Sequence, residues 1–263
     1  MTNNLVLLDK SDGVATITLN QPETLNALTY DMLVQLHQVV DEISSDKEVR
    51  AVILSGAGRG FCSGANLLGG SAEALSAGGM GVRSVVLKMN AVLTGIAEME
   101  KPWLAAVNGP AVGGGCSLAL VSDLTLMSES AFMSAGYVNV GLVPDMGMTY
   151  MLSRLVGFRK ASELALFGER VYGPEAVEIG LANRVVPDEA LMDATLEWAI
   201  RLANGPALAI GAIKLGLRRA LHGSLRDTLN WEAMMLPLIV QTEDASEGLM
   251  AFFQKRDPKF KGK

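Results

Sequence analysis

The sequence predicts an α/β fold whose C-terminal part is helical, and two observations support this prediction. Up to about residue 190, short apolar runs typical of buried strands alternate with longer segments in which apolar residues recur at helical spacing. Beyond that point only the helical spacing continues. We therefore predict a β/α core over residues 1–190 and a helical region over residues 191–263.

The composition argues against several classes of protein. Hydrophobic residues make up 49% of the 263 residues and aromatic residues only 5%, so the core must be mainly aliphatic. The net charge of −6 and the lack of a basic block argue against a nucleic-acid partner. Cys62 and Cys116 lie far apart without a CxxC pattern, so we expect two buried thiols rather than a disulfide or a metal site.

The sequence gives no indication of export or of a membrane span. The N-terminus lacks the basic region and apolar core of a secretory signal. No uninterrupted run of about 18 apolar residues is present, so we expect no contact with a membrane. The expected location is the cytoplasm.

The first part of the chain predicts a hairpin, a helix and a strand. Residues 5–8 and 14–19 are strand-like, and Ser11-Asp12-Gly13 between them is typical of a hairpin turn. After a loop, Thr29 is a suitable N-cap for a helix with apolar residues at helical spacing. Residues 49–55 form an apolar run that predicts a buried strand.

The middle of the chain continues this alternation. Residues 69–81 are small and rich in glycine, which predicts a loop that acts as a lid over a site or as a linker. We predict an amphipathic helix over residues 83–99, a short strand over 124–127 and a helix over 141–155. The later predicted elements are a strand over residues 184–186 and helices over residues 190–203, 207–221, 225–240 and 246–254.

Residues 105–120 combine a strand, a turn, three consecutive glycines and the start of a helix. Glycines let backbone N–H groups approach a ligand closely, and the first N–H groups of a helix have no partner inside it. The stretch is therefore suited to hold an anion, or an oxygen that becomes negative during a reaction. A P-loop is excluded because no Lys-Ser/Thr pair follows the glycines. Glycines that only permit close helix packing are the alternative.

Four short motifs occur in a fixed order along the chain. They are LNAL (residues 25–28), GRGFCSGANL (58–67), AAVNG followed by GGGC (105–109 and 113–116), and GLVPD (141–145). Each is weak alone, but together they cover nearly the whole chain and strongly resemble the crotonase superfamily of enoyl-CoA hydratases and isomerases. The GLVPD motif is most similar to the isomerase branch, which includes the phenylacetate-pathway isomerase.

The resemblance implies a fold, a ligand and an assembly. The fold would be a spiral of ββα turns that carries an acyl-CoA thioester, followed by C-terminal helices that build a trimer or a dimer of trimers. The backbone N–H groups of Ala65 and Gly114 would form an oxyanion hole for the thioester oxygen. Coenzyme A enters as part of the substrate, and neither a metal nor a separate cofactor is implied.

The carboxylates implied by the resemblance favour isomerisation over hydration. Hydratases of the family use two glutamates, and this chain has Ser117 and Tyr137 at those positions. Asp145 matches the aspartate that acts as the base in the isomerase branch. One carboxylate is enough to move a proton from Cα to Cγ while the oxyanion hole holds the enolate. The implied activity is conversion of a β,γ- to an α,β-unsaturated acyl-CoA.

Three alternatives stay open at this point. The chain can be a hydratase or another thioester enzyme of the family with an atypical site. It can also be a protein that binds coenzyme A without catalysis. Asp145 itself can be a helix cap, as Pro-Asp at a predicted helix start indicates without any function.

The resemblance also assigns residues to substrate binding. Asn26 and Ala27 match the loop that passes along the pantetheine and the adenine. Arg59 is a candidate for a phosphate contact, and Lys255 for a contact with coenzyme A on a neighbouring subunit. A solvated side chain is the alternative interpretation for both. The other residues assigned to substrate binding are Ser63, Asn66, Leu67, Ser117 and Tyr137.

Overall fold

The computed structural model describes residues 4–66 and 78–263, and within these ranges the chain forms two β-sheets and a set of α-helices. The strands are β1 (Val6–Ser11), β2 (Val14–Leu19), β3 (Ala51–Gly56), β4 (Trp103–Val107), β5 (Ala111–Val112), β6 (Leu124–Ser128), β7 (Phe132–Ser134), β8 (Val171–Tyr172) and β9 (Arg184–Val186). The helices are α1 (Tyr30–Ser45), α2 (Gly78–Glu98), α3 (Gly114–Leu120), α4 (Met148–Leu155), α5 (Gly157–Phe167), α6 (Gly173–Glu178), α7 (Leu191–Ala203), α8 (Ala207–Ala220), α9 (Leu225–Val240) and α10 (Glu243–Gln254).

The larger sheet has the strand order β1-β2-β3-β4-β6-β9. Its first two strands pair antiparallel through a two-residue turn, in which Asp12 and Gly13 have φ values of 52° and 76°. Two consecutive positive φ angles define the turn type that suits a tight hairpin, so the predicted turn is confirmed. The remaining neighbours in this sheet pair parallel. The smaller sheet has the order β5-β7-β8, and its first strand directly precedes α3.

The larger sheet is covered on both faces, which explains the unbroken apolar runs of its central strands. Alternate residues of β3 point to opposite sides: Val52 and Leu54 belong to the core beneath α1 and α2, whereas Ala51 and Ile53 face α7. A parallel strand buried on both faces has no polar side, and its sequence is therefore a continuous hydrophobic segment. Both layers of the core are thus supplied by one sheet.

The C-terminal helices differ in how they use their apolar residues. Helix α7 packs onto the sheet through Leu191, Ala199 and Ala203, so it is part of the core although it follows residue 190. Helix α9 has no buried residue in the described chain. The predicted helical C-terminal region is present, and its first helix completes the second layer of the core.

Several predicted boundaries were wrong. The helix predicted over residues 141–155 begins only at Met148, and a separate helix, α5, follows it. The small strands β5, β7 and β8 were not predicted, because two or three residues are too few for a period to be recognised. Most of the predicted lid or linker, residues 69–77, lies outside the described residues, and residues 78–81 form the first turn of α2 rather than a loop.

By length and composition alone, Gly79–Glu98 within α2 would suffice to cross a membrane, with a mean hydropathy of 1.2. The prediction concerned an uninterrupted apolar run, and this segment is interrupted by Arg83 and Lys88. Met89, Val92 and Ile96 on this helix are buried in the core, and α2 packs along α1. The apolar residues on that side of α2 therefore have a packing role within the fold.

Candidate active site

Two glycine-rich segments carry the N–H groups assigned to the oxyanion hole: residues 109–115, and residues 58–67, which we call the second glycine-rich loop. The two segments are in contact in the structure. Gly64 has a φ of 93°, and a Cβ atom there would lie 2.8 Å from the Val112 carbonyl oxygen and 3.6 Å from the Gly114 nitrogen. A Cβ atom on Gly115 would lie only 2.0 Å from the Cys62 carbonyl oxygen. Side chains at these positions would force the two backbones apart. The glycines therefore allow main chain to pack directly on main chain.

The backbone N–H groups of Ala65 and Gly114 are available for a ligand. In the described part of the chain, neither donates a hydrogen bond, whereas the next donor along the first segment, Asn66, bonds to the Leu28 carbonyl at 3.0 Å. Gly114 is the first residue of α3, so its N–H has no acceptor inside that helix. Two free N–H groups on neighbouring segments can donate to a single oxygen atom.

Met146 and Leu28 cover Gly114. A Cβ atom on Gly114 would lie 2.7 Å from the Met146 sulfur and 3.2 Å from Leu28 Cδ1. Met146 is buried and has a positive φ of 48°, which bends the chain immediately after Asp145. Because Met146 rests on Gly114, the neighbouring Asp145 is brought close to the glycine segments.

Tyr137 and Asp145 are joined by a short hydrogen bond. The Tyr137 hydroxyl donates to Asp145 Oδ1 at 2.6 Å, and the Tyr137 ring carbon Cζ lies 3.7 Å from the Cβ position of Gly113. A short 3₁₀ helix holds Tyr137, and Gly141 ends it with a φ of 71°. This left-handed residue turns the chain back, so that Asp145 returns to the tyrosine.

The Tyr137 hydroxyl is a stable donor at neutral pH. Burial and the hydrogen bond to Asp145 both raise the pKa of Tyr137, and the nearby Ser117 hydroxyl lowers it by a smaller amount. Ser117 is fully buried, and its Oγ makes no hydrogen bond of ordinary geometry within the described ranges. Ser117, Tyr137 and Asp145 therefore form a chain of neighbouring oxygen atoms that starts inside the protein and ends at the carboxylate.

Asp145 is not a helix cap, so that alternative is wrong. Helix α4 begins at Met148, its N-cap is Gly147, and no side chain caps it. Only the main-chain oxygen of Asp145 takes part in the turn, by accepting a hydrogen bond from the Met148 N–H at 3.0 Å. The carboxylate is half-buried and bonds to Tyr137 instead.

Two of the residues assigned to substrate binding hold the loops together. The Asn26 side chain is fully buried, and its amide group donates to the carbonyl oxygens of Ala57 (3.0 Å) and Gly60 (2.7 Å). The Ser63 hydroxyl donates to the Thr24 carbonyl at 2.9 Å. These side chains fix the path of both loops, and Asn26 as a whole has no solvent-exposed surface in this structure.

The other residues assigned to substrate binding are spread along the surface and the loops. Ala27 is buried, Arg59 is exposed on the second glycine-rich loop, and Asn66 is half-buried beside Ala65. Lys255 is exposed and ends α10 with a φ of 53°. Leu67 lies outside the described residues.

Sequence reasoning missed the part played by Asn108. Its side-chain amide donates to the carbonyl oxygens of Gly56 (2.8 Å) and Gly58 (3.0 Å), and its oxygen accepts from the Gly56 N–H at 3.3 Å. Asn108 therefore ties the end of β4 to the second glycine-rich loop. Asparagine directly before glycine was the available signal, but it indicates a local turn and not a partner about 50 residues away in the chain.

The chain is similar to a large set of known proteins. Residues 9–263 match a family model described as enoyl-CoA hydratase/isomerase. The chain is 36% identical, over 98% of both sequences, to an Escherichia coli protein named 1,2-epoxyphenylacetyl-CoA isomerase. It is 35% identical, over 97% of both, to a Clostridium acetobutylicum protein named short-chain-enoyl-CoA hydratase.

Solved structures resemble the fold over almost its full length. A putative enoyl-CoA hydratase from Streptomyces coelicolor superposes with a TM-score of 0.94 at 35% identity, covering 98% of this chain and 94% of that one. A putative enoyl-CoA hydratase/isomerase from Mycobacterium abscessus gives a TM-score of 0.93 at 33% identity. The superposition covers 98% of this chain and 100% of that one. The prediction of an α/β fold with C-terminal helices is confirmed.

Proposed function

The chain belongs to the enoyl-CoA hydratase/isomerase family, within the crotonase superfamily, and we propose that it is an enoyl-CoA isomerase. The proposed reaction moves a double bond of an acyl-CoA thioester from the β,γ to the α,β position. Coenzyme A enters as part of the substrate, and the reaction needs neither a metal nor a separate cofactor.

The observation that carries this proposal is the carboxylate of Asp145, held by Tyr137 at 2.6 Å beside the glycine segments. Hydration needs one group to activate water and another to deliver a proton to carbon. In hydratases of the family two glutamates do this, and here their positions hold Ser117 and Tyr137. Isomerisation needs a single acid–base group, and Asp145 can supply it.

We assign the two free amides to the thioester oxygen. In the proposed reaction Asp145 removes a proton from Cα, and the thioester becomes an enolate whose oxygen is held by the N–H groups of Ala65 and Gly114. Asp145 then gives the proton to Cγ, and the carbonyl forms again. One such N–H donor contributes about 3–4 kcal/mol of transition-state stabilisation.

Replacement of the proposed base tests the proposal. We expect Asp145→Asn to lower the isomerisation rate by at least about 100-fold, because the amide cannot accept the proton. The protein is offered β,γ- and α,β-enoyl-CoA thioesters, and products are identified by mass and by the absorbance of the conjugated thioester. Wild-type isomerisation with a near-normal rate in Asp145→Asn would remove Asp145 from the mechanism.

Asp188 offers a matched control for this substitution. It also follows a proline, and its carboxylate also accepts a hydrogen bond from a hydroxyl, that of Ser130 at 2.5 Å. Asp188 follows β9 and packs against the loop after β6, in a part of the fold that holds no assigned site residue. We expect Asp188→Asn to keep the wild-type isomerisation rate.

A hydratase is the second candidate, and the relative from Clostridium acetobutylicum favours it through its name. The same assay separates the two activities. Hydration adds one water to the α,β-enoyl-CoA, whereas isomerisation leaves the mass unchanged. Binding of acyl-CoA without turnover of either thioester would indicate a protein without catalysis.

We extend the proposal to the coenzyme and to the subunits. The loop at Asn26 and Ala27, together with Arg59 and Lys255, is assigned to the coenzyme A end of the substrate, and Ser63, Asn66 and Leu67 are assigned to substrate binding. The protein is proposed to be a cytoplasmic homotrimer or dimer of trimers. The exposed apolar residues of α9 support an assembly of this kind.

A further inference from the structure

We propose that Tyr137 is a positioning residue that holds Asp145 Oδ1, so that Oδ2 alone carries the proton between Cα and Cγ. The buried Ser117 hydroxyl is the neighbour that supports the Tyr137 hydroxyl in turn. This inference rests on the proposed isomerase function. It gives a role to the two hydroxyl groups that stand at the positions of the hydratase glutamates.

The first link is the hydrogen bond from Tyr137 to Asp145. Its length of 2.6 Å is that of a strong bond between a hydroxyl and a charged carboxylate. The tyrosine ring cannot swing away easily, because it packs against the hydrophobic core and lies close to Gly113. A rigid donor of this kind holds the carboxylate in one orientation.

The second link is the buried hydroxyl of Ser117. A fully buried polar atom normally has a hydrogen-bond partner, and the Tyr137 hydroxyl is a neighbour whose pKa the Ser117 hydroxyl lowers. Tyr137 uses its proton on Asp145, so its lone pairs can accept the proton of Ser117. A small shift of either side chain completes a chain in which each hydroxyl donates to the next oxygen.

This arrangement determines how the proton travels. In the first step the Cα–H bond breaks, an Oδ2–H bond forms, and the electron pair moves into the enolate. In the second step the Oδ2–H bond breaks and leaves its electron pair on Asp145, while the π pair between Cβ and Cγ forms the Cγ–H bond. The enolate oxygen re-forms the carbonyl, and the double bond now lies between Cα and Cβ. Tyr137 and Ser117 keep their own protons throughout. A carboxylate that is anchored at Oδ1 keeps Oδ2, and the proton it carries, directed at the substrate between the two steps.

An isotope experiment separates positioning from a merely structural role. A β,γ-enoyl-CoA with deuterium at Cα is converted in ordinary water, and mass spectrometry measures the fraction of product that carries deuterium at Cγ. We expect Tyr137→Phe to lower this fraction by about threefold, with kcat lowered by about tenfold and KM nearly unchanged. Ser117→Ala should change both quantities in the same direction by less.

Tyr150→Phe is the matched control. Tyr150 also loses one hydroxyl hydrogen bond in this change, a 2.8 Å contact with a ring nitrogen of His222, and it lies on α4 shortly after Asp145. We expect it to retain the wild-type deuterium fraction and kcat. Circular dichroism confirms that all variants are folded, and Ser117→Ala provides a second test if Tyr137→Phe does not fold.

The outcomes distinguish this inference from the proposed function. A deuterium fraction in Tyr137→Phe equal to that of the wild type overturns the positioning role while the isomerase stands. If the wild type forms no isomer, exchange of the Cα protons of a saturated acyl-CoA in deuterated water is measured instead. Slower exchange in Tyr137→Phe then supports the positioning role without the isomerase function. Equal exchange, or none in the wild type, overturns it.

Discussion

At the scale of single residues, the site depends on glycines, because a side chain at these positions would push two backbone segments apart. Gly115 lies inside α3, where alanine would ordinarily be favoured over glycine. A Cβ atom there would lie 2.0 Å from the Cys62 carbonyl oxygen and 2.7 Å from the Cys62 Cβ. Because backbone cannot move aside as a flexible side chain can, the substitution must shift the turn that carries the Gly114 N–H.

We therefore expect Gly115→Ala to lower stability by about 3 kcal/mol. We also expect a loss of isomerase activity of about 100-fold in the protein that remains folded, because the N–H donor is displaced. Thermal unfolding by circular dichroism and the isomerisation assay measure the two effects.

Gly79→Ala is the control, since Gly79 lies exposed on α2 with no atom within 4 Å of the added Cβ. It should gain about 0.5–1 kcal/mol, and a Gly115→Ala variant that behaved like it would contradict the packing argument.

At this scale the sequence could identify Asp145 but not its partner. The GLVPD motif gave the position of the carboxylate. Its hydrogen bond to Tyr137 depends on the left-handed φ values of Gly141 and Met146. Such angles cannot be derived from residue spacing, and a methionine with positive φ is not expected from local preferences. Tyr137 was therefore assigned to substrate binding and not to the support of Asp145.

At the scale of secondary-structure elements, helix α8 is attached to the core by a buried lysine. Lys214 Nζ lies 2.9 Å from Asp123 Oδ2 and also donates to the main-chain oxygens of Ile96 and Lys101. Burial lowers the pKa of Lys214, and the Asp123 carboxylate opposes this effect. Arg218 on the same helix bonds to Asp123 Oδ1 at 2.7 Å. One carboxylate thus anchors two turns of α8.

Removal of that charge should loosen the helix. In Asp123→Asn the buried ammonium group of Lys214 loses its counter-charge, and we expect a loss of about 3 kcal/mol, or a thermal midpoint lower by about 6–12 °C. Glu42→Gln is the control, because the pair of Glu42 with Lys10 is exposed and should not change the midpoint measurably. If both variants melt at the same temperature, the buried ion pair does not anchor α8.

Elements with strong local signals were predicted well. Thr29 caps α1 by accepting a hydrogen bond from the Met32 N–H at 3.1 Å, as its side chain and position indicated. The start of α4 was predicted too early, because Pro144-Asp145 is typical of a helix start. The positive φ values of Met146 and Gly147, 48° and 69°, keep this segment out of the helix. Packing over Gly114 overrides the local preference.

At the scale of the whole molecule, the apolar residues of the C-terminal helix α9 are left uncovered in the single chain. Helix α9 contains several apolar residues, yet none of them is buried in the described chain. A cavity of about 690 Å³ with mostly apolar side chains lies between α8 and α9. An apolar groove with exposed apolar residues beside it is typical of a surface that another protein chain covers. Helix α9 gains little by burial within the single chain, so a second copy is the simplest cover for its apolar residues.

A charge on the exposed side of α9 tests this view. Met234 is 71% exposed, and we expect Met234→Glu to break the proposed trimer, because a carboxylate buried between subunits loses its hydration. Met80→Glu is the control: Met80 is 74% exposed and lies on α2, away from the C-terminal helices. Light scattering coupled to size exclusion gives the mass of each species. A wild type that elutes as a monomer, or a Met234→Glu variant with the wild-type mass, would mean that α9 does not form the subunit contact. Its apolar residues would then be as exposed in the working protein as they are in the single chain.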